Sequence, residues 1–164
     1  RGPVLRPARA GDAPAIVEIW RDGWRDGHLG HVPQALADAR TDASFAQRAP
    51  QRIGDTHVAV LDGRVAGFVM VVDHEVEQVY VAAHARGTGL AGLLLDTAAR
   101  LVGAAGHDRA WLAVAAANTR ARRFYARQGW IGEGGFDYLA AGPDGPIPVP
   151  SHRYAVSVAV PRSG

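Results

Sequence analysis

The sequence contains no cysteine and no lysine. The first absence rules out a disulfide framework, a thiolate metal site and a catalytic cysteine, and leaves the redox compartment open. The second means that all 18 cationic side chains apart from histidine are arginine. Long apolar runs are also missing: the longest are strand-sized and broken by glycine or charge, too short to span a bilayer. With no N-terminal signal pattern either, a soluble, cytoplasmic protein with no membrane partner is expected. His57, His74, His84, His107 and His152 show no metal-ligand spacing; they read as surface or loop residues, and no metal is expected.

What is present suits one domain over residues 1–164, large enough to bury a core without staples. There are no internal repeats and no stretch that would divide the chain. The formal charge is only +2. A sequence pI of 9.5 raises the question of nucleic acid, but acids and bases are interspersed, which argues against such a partner. The densest basic cluster is Arg120, Arg122, Arg123 and Arg127.

The centre of the sequence is a strand, a glycine-rich turn and a helix. Residues 76–81 are β-branched and aromatic, as a strand requires. Leu90, Leu93, Leu94, Ala98, Leu101, Val102 and Ala105 follow at helical spacing, closed by Gly106. Between them lie Arg86, Gly87, Thr88, Gly89, Leu90, Ala91 and Gly92. The first N–H groups of a helix lack internal partners and carry partial positive charge, so glycines that let backbone approach closely make an anion seat, to which Arg86 adds a full charge. The ligand implied is a phosphate or pyrophosphate. Residues 87–92 match the dinucleotide fingerprint G-x-G-x-x-G, and from Arg86 the same stretch reads R-x-x-G-x-A.

The next strand separates these readings. A dinucleotide fold places an acidic residue at its end, about 20 residues on; the strand 110–115 ends instead in Ala116, Ala117 and Asn118. The run 118–130 then offers an Asn opening a helix, Tyr125 on that helix, and Gly129 with Trp130 closing it. The two stretches together resemble the GCN5-related N-acetyltransferase superfamily.

That resemblance covers essentially the whole chain. It implies an α/β (α+β, three-layer) fold: a mixed, mostly antiparallel sheet of about seven strands flanked by about four helices, splayed between its two central strands. It also implies acetyl transfer from acetyl-CoA directly to an amine of a small molecule or peptide in a ternary complex. On this reading Arg86 to Gly92 and Arg122 hold the pyrophosphate. Val79, Tyr80 and Val81 lend backbone groups to the pantetheine arm, and one of their N–H groups polarises the thioester carbonyl. Asn118 bonds the pantetheine or caps its helix. Tyr125 is the general acid, and Glu75 or Glu77 accepts the amine proton. Trp24, His28 and His31 border the acceptor. The absence of lysine removes any side chain of its own as an acetylation target. A non-catalytic acyl-CoA sensor of the same fold is the alternative function.

In chain order, residues 4–6 form a first strand stopped by Pro7, and Asp12 caps a helix whose inner face is Ile16, Ile19, Trp20, Gly23 and Trp24. Pro33 begins a second helix carrying Leu36 and Phe45 and ending before Pro50. Residues 56–61 and 65–72 pair as a hairpin across Asp62, Gly63 and Arg64. The last strands are 136–139 and 153–158, joined by a stiff linker over 142–150, and their exposed edge could support a dimer.

Overall fold

The computed structural model describes residues 2–161. The strands are β1 (Val4–Pro7), β2 (Thr56–Leu61), β3 (Arg64–Val72), β4 (Glu75–Val81), β5 (Arg109–Ala115), β6 (Ile131–Ala140) and β7 (Ile147–Ser157). The helices are α1 (Ala13–His28), α2 (Gln34–Ala39), α3 (Asp42–Gln51), α4 (Leu90–Ala104) and α5 (Thr119–Arg127). All seven strands join one sheet in the order β1-β2-β3-β4-β5-β7-β6. Every neighbouring pair is antiparallel except β4 and β5. This is the mixed, mostly antiparallel sheet that the sequence predicts.

The sheet separates two apolar layers. On one face Ile16, Trp20 and Phe45 from α1 and α3 close over Val58, Phe68 and Met70. Trp20 meets Phe45 and Phe68 edge-on at ring distances of 5.5 and 6.1 Å, a geometry that adds roughly 0.5–1.5 kcal/mol per pair beyond area burial. On the other face Leu94, Leu95, Ala98 and Val102 of α4 cover Val69, Ala110 and Leu112. The i, i+4 spacing of Leu94, Ala98 and Val102 explains why α4 buries one stripe along its length.

Several local expectations need correction. The helix from Pro33 is two helices: Arg40 leaves helical geometry, and Thr41 starts α3 by accepting the Ser44 N–H on its hydroxyl at 3.1 Å. Pro50 does not stop α3 but sits in its final turn, which closes through the Arg52 N–H on the Arg48 and Ala49 carbonyls. Asp12 is the N-cap residue of α1, as expected, but its side chain makes no bond to the helix. Its carboxylate accepts the Arg6 guanidinium at 2.8 and 3.0 Å and the Arg9 N–H at 2.8 Å, and the Arg6 bond holds it below the ordinary aspartate pKa.

The linker over 142–150 is also shorter than expected, because β7 already begins at Ile147. Pro150 can lie in that strand because its carbonyl accepts from Ala116 N–H on the β5 side. Its nitrogen therefore also faces away from β6, and no β6 ladder bond is lost. Finally, His57 and His152 are strand residues of β2 and β7 rather than loop residues.

The β4–β5 junction positions the site. The two strands pair only at Glu75 with Trp111, supported by Trp111 N–H on the His74 carbonyl at 3.0 Å. Beyond that point they diverge, while β5 continues to pair with β7 along its whole length. On the other side of β4, pairing with β3 slips between Met70–Gln78 and Val71–Val76, leaving Glu77 as the extra residue of a bulge.

Candidate active site

The divergence of β4 from β5 leaves backbone groups without a strand to pair with. Ala82 N–H bonds the Ala66 carbonyl of β3. Because successive residues of a strand present their backbone groups to opposite sides, Tyr80 also turns toward β3, and Val79 and Val81 turn into the gap. Of the three residues expected to offer backbone there, the geometry thus provides two.

The glycine-rich turn lies at the end of β4. Gly87 and Gly89 have φ of 78° and 80°, a left-handed conformation that costs glycine nothing. Gly89 is the N-cap of α4, and after Arg86 the Leu93 N–H is the first to find a backbone acceptor, the Gly89 carbonyl. A side-chain carbon at Gly89 would meet nothing within 4 Å, so backbone there is open to an approaching group. Thr88 bonds the Ala85 carbonyl through its hydroxyl and fixes the turn. Gly92 permits close packing instead: a Cβ would lie 3.0 Å from Gln128 Oε1. The Arg86 guanidinium pairs with Asp26 of α1.

Helix α5 flanks the gap. Asn118 caps it, its Oδ1 accepting Ala121 N–H at 3.2 Å, while its Nδ2 donates to the Gly27 carbonyl at 2.8 Å and ties α5 to the end of α1. Both arms of the amide are therefore engaged within the protein. Tyr125 packs between Phe124 and Tyr154, and burial pushes its hydroxyl up to about 12, so it stays protonated at neutral pH. Arg122 turns inward: Nη1 donates to the Ala116 carbonyl at 3.2 Å and Nε to the Tyr154 hydroxyl at 3.4 Å. Arg120, Arg123 and Arg127 are exposed.

At the mouth of the gap, on the α1–α3 face, is a cavity of about 290 Å³. Glu75, Glu77 and Gln78 of β4 reach it together, as do Trp24 and His28 of α1. His31 does not; it is exposed in the turn after α1. The His28 ring stacks on Trp24 at 5.0 Å and 4°, and burial pushes its pKa down to about 4. It is a neutral wall at physiological pH. The Tyr138 hydroxyl donates to Glu75 Oε2 at 2.6 Å. Burial raises the Glu75 carboxyl above the ordinary glutamate range, and the Tyr138 bond opposes that rise. Glu77 Oε1 lies 3.1 Å from Arg52 Nη2, and Arg52 Nε also holds Asp55 at 3.1 Å.

The same cavity brings in residues not anticipated from the sequence: Arg40, Arg48, Arg52, Tyr138 and Ser151. A signal existed for two of them. Phe45, Arg48, Ala49 and Arg52 follow i, i+3, i+4, i+7, which places two arginines on the apolar face of α3. Among the described residues no helix is long and apolar enough to cross a membrane.

Comparison with known proteins agrees with this geometry. The acetyltransferase (GNAT) family matches residues 13–130. An uncharacterized N-acetyltransferase of Mycobacterium tuberculosis is 35% identical over 109 residues, 61% of this chain and 67% of that protein; one of Mycobacterium bovis matches equally. Among solved structures, a GCN5-related N-acetyltransferase of Rhodopseudomonas palustris has a TM-score of 0.73 at 22% identity, covering 96% of this chain and 97% of that one. A phosphinothricin acetyltransferase of Sinorhizobium meliloti, in complex with acetyl-CoA, has a TM-score of 0.69 at 19% identity over 97% and 90% of the two chains. A putative acetyltransferase of Salmonella typhimurium with acetyl-CoA gives 0.68 at 17% over 100% and 98%. The chain belongs to the GNAT acetyltransferase family.

Proposed function

We propose that the protein transfers an acetyl group from acetyl-CoA directly to the amine of a small acceptor, with both substrates bound at once. The observation that carries this reading is the β4–β5 gap, which has a glycine-rich helix start at one end and a carboxylate-bearing cavity at its mouth. Acetyl-CoA bound in two of the related structures supports the choice of donor.

The donor's phosphates rest on the backbone of Arg86 to Gly92, where a helix start and two left-handed glycines favour an anion. Its extended arm pairs with the free backbone of Val79 and Val81. One of those N–H groups donates to the thioester oxygen as negative charge develops there, a fixed dipole that needs no reorganisation during reaction. The acceptor ammonium must first lose a proton, since its pKa near ~10 leaves it charged at neutral pH. Glu75 takes that proton, directly or through water: its burial makes it a stronger base than an exposed glutamate, whereas Glu77 is engaged by Arg52. The amine nitrogen attacks the carbonyl carbon, and the tetrahedral intermediate collapses with cleavage of the carbon–sulfur bond. Tyr125 donates its proton to the departing thiolate. Asn118 acts by fixing α5, and hence Tyr125, against α1.

Calorimetric titration with acetyl-CoA, followed by thiol release across an amine panel, tests this. Gly89→Val forces a β-branched residue to positive φ and should abolish donor binding. Tyr125→Phe should lower kcat with donor binding largely kept. Donor binding without turnover on any amine would make the protein a sensor of the coenzyme, and unaltered binding in Gly89→Val would remove the loop from the site.

A further inference from the structure

The charges around the cavity do not balance. Its helical wall carries Arg40 at the end of α2, Arg48 on α3 and Arg52 just after it; its strand floor carries Glu75 and Glu77. Arg52 is matched by Asp55 and Glu77, and Glu75 is held by the neutral Tyr138. Arg40 and Arg48 are left with no carboxylate partner among the described residues, although both are partly buried. Burial and the neighbouring guanidiniums push Arg48 down to about 10, with the Glu77 carboxylate opposing them from beyond ion-pair distance, and burial lowers Arg40 in the same direction. Withdrawing cations from water without a carboxylate in contact is costly, so such a pair is an uncommon way to build a wall.

Two buried N–H groups on this side are also short of acceptors. Trp20 Nε1 is buried with no acceptor, and Arg52 Nη2, although close to Glu77, is not aligned for a hydrogen bond with it. The Arg48 guanidinium lies over the Trp20 ring, 4.7 Å from its centroid. That contact fixes the plane of the group and leaves its N–H edges available, the arrangement in which arginine receives an oxyanion.

We infer that the acceptor is an amino acid-like molecule, in which an oxyacid group, a carboxylate in the simplest case, is received by Arg40 and Arg48 while the amine a few bonds away is directed to Glu75. The inference rests on the acetyltransferase reading of the same cavity and narrows it from amines in general to amines that carry an anion. Trp24, Leu36 and Val149 give the wall an apolar patch that suits an aliphatic or aromatic side chain.

Matched compounds test this on the full chain: leucine and phenylalanine against their carboxamides, their decarboxylated amines and their aminophosphonate analogues. Thiol release gives kcat/KM for each, and calorimetry without acetyl-CoA gives binding independently of catalysis. The acids should exceed the amides and decarboxylated amines by about tenfold or more, as a charge-assisted pair of bonds implies. The aminophosphonates should likewise exceed the decarboxylated amines, because a phosphonate presents the same kind of oxyanion to the two guanidiniums. In Arg48→Gln the acid-to-amide ratio should fall toward one, mainly through KM; Arg40→Gln is the second variant if removing Arg48 from Trp20 impairs folding.

Amides acetylated and bound as well as acids, or a ratio that survives both substitutions, would overturn the inference while leaving the protein an N-acetyltransferase. Failure of acetyl-CoA to bind would instead remove the function, and calorimetry would still judge the arginine seat: acids bound over amides, with the difference lost in Arg48→Gln, sustain it, and equal binding overturns it.

Discussion

Glu75 is poised chiefly by two opposed effects, and one of them can be removed by a single substitution. Burial favours its protonated form, and the Tyr138 hydroxyl favours its carboxylate. If Glu75 accepts the amine proton, kcat/KM must fall at acid pH as it protonates. Tyr138→Phe deletes the largest of the effects that favour the carboxylate, so the acid limb of the pH profile should move to higher pH, while Glu75→Gln should lower kcat by about 10²-fold or more. A pH–rate profile of the three proteins checks both; an acid limb that stays in place in Tyr138→Phe would separate Glu75 from the proton transfer. His28 gives a stability test of opposite character. Its folded pKa, about 4, lies below the ordinary value of 6.5. The unfolded chain therefore binds the proton first, so the His28 contribution is complete above pH 6.5 and is lost as pH falls toward 4. The loss is on the order of 2 kcal/mol. Urea denaturation at pH 7.5 and 5 should show a larger acid loss for the wild type than for His28→Gln.

At the level of elements, the packing of α4 onto the sheet depends on one small residue. A Cβ on Gly67 would lie 2.8 Å from Leu94 Cδ1 and 2.8 Å from the Tyr80 carbonyl oxygen. The leucine could rotate, but the carbonyl belongs to β4 and cannot move without displacing the strand that borders the gap. Gly67→Ala is expected to cost about 1–3 kcal/mol, read as a lower urea midpoint with unchanged slope. The sequence makes β4, the glycine-rich turn and α4 legible because strand chemistry, left-handed glycines and a helical stripe all point the same way there. It makes α2 and α3 less legible, because neither glycine nor proline marks the break at Arg40, the N-cap signal of Thr41 is a single residue inside a continuous polar run, and Pro50 suggests a stop that the structure does not use. The site divides along the same line. Tyr125 and Asn118 lie where local pattern reaches, whereas Arg40, Arg48 and Tyr138 come from three different elements whose convergence depends on the packing of α2 and α3 and on the early start of β7.

The whole molecule is two half-sheets, β1 to β4 and β5 to β7, that share a single ladder pairing at Glu75 and Trp111. Trp111 anchors that joint: Arg153 lies over its ring at 4.2 Å, and Phe136 and Tyr138 flank it, each with ring centroids at 6.3 Å. A donor lying along the gap would touch both halves, so its binding should stabilise the protein as a unit, by about 2.7 kcal/mol at a hundredfold excess over Kd. Global stabilisation alone slows exchange of every amide that needs unfolding to open. Pairing along β4 predicts something more selective. Val79 and Val81 turn their N–H groups into the gap, and Tyr80 already faces β3. Residue-resolved hydrogen exchange with saturating acetyl-CoA should therefore slow Val79 and Val81 by about tenfold or more beyond Tyr80 between them. Slowing spread evenly over the three residues would mean that the donor braces the two halves without extending the sheet between them.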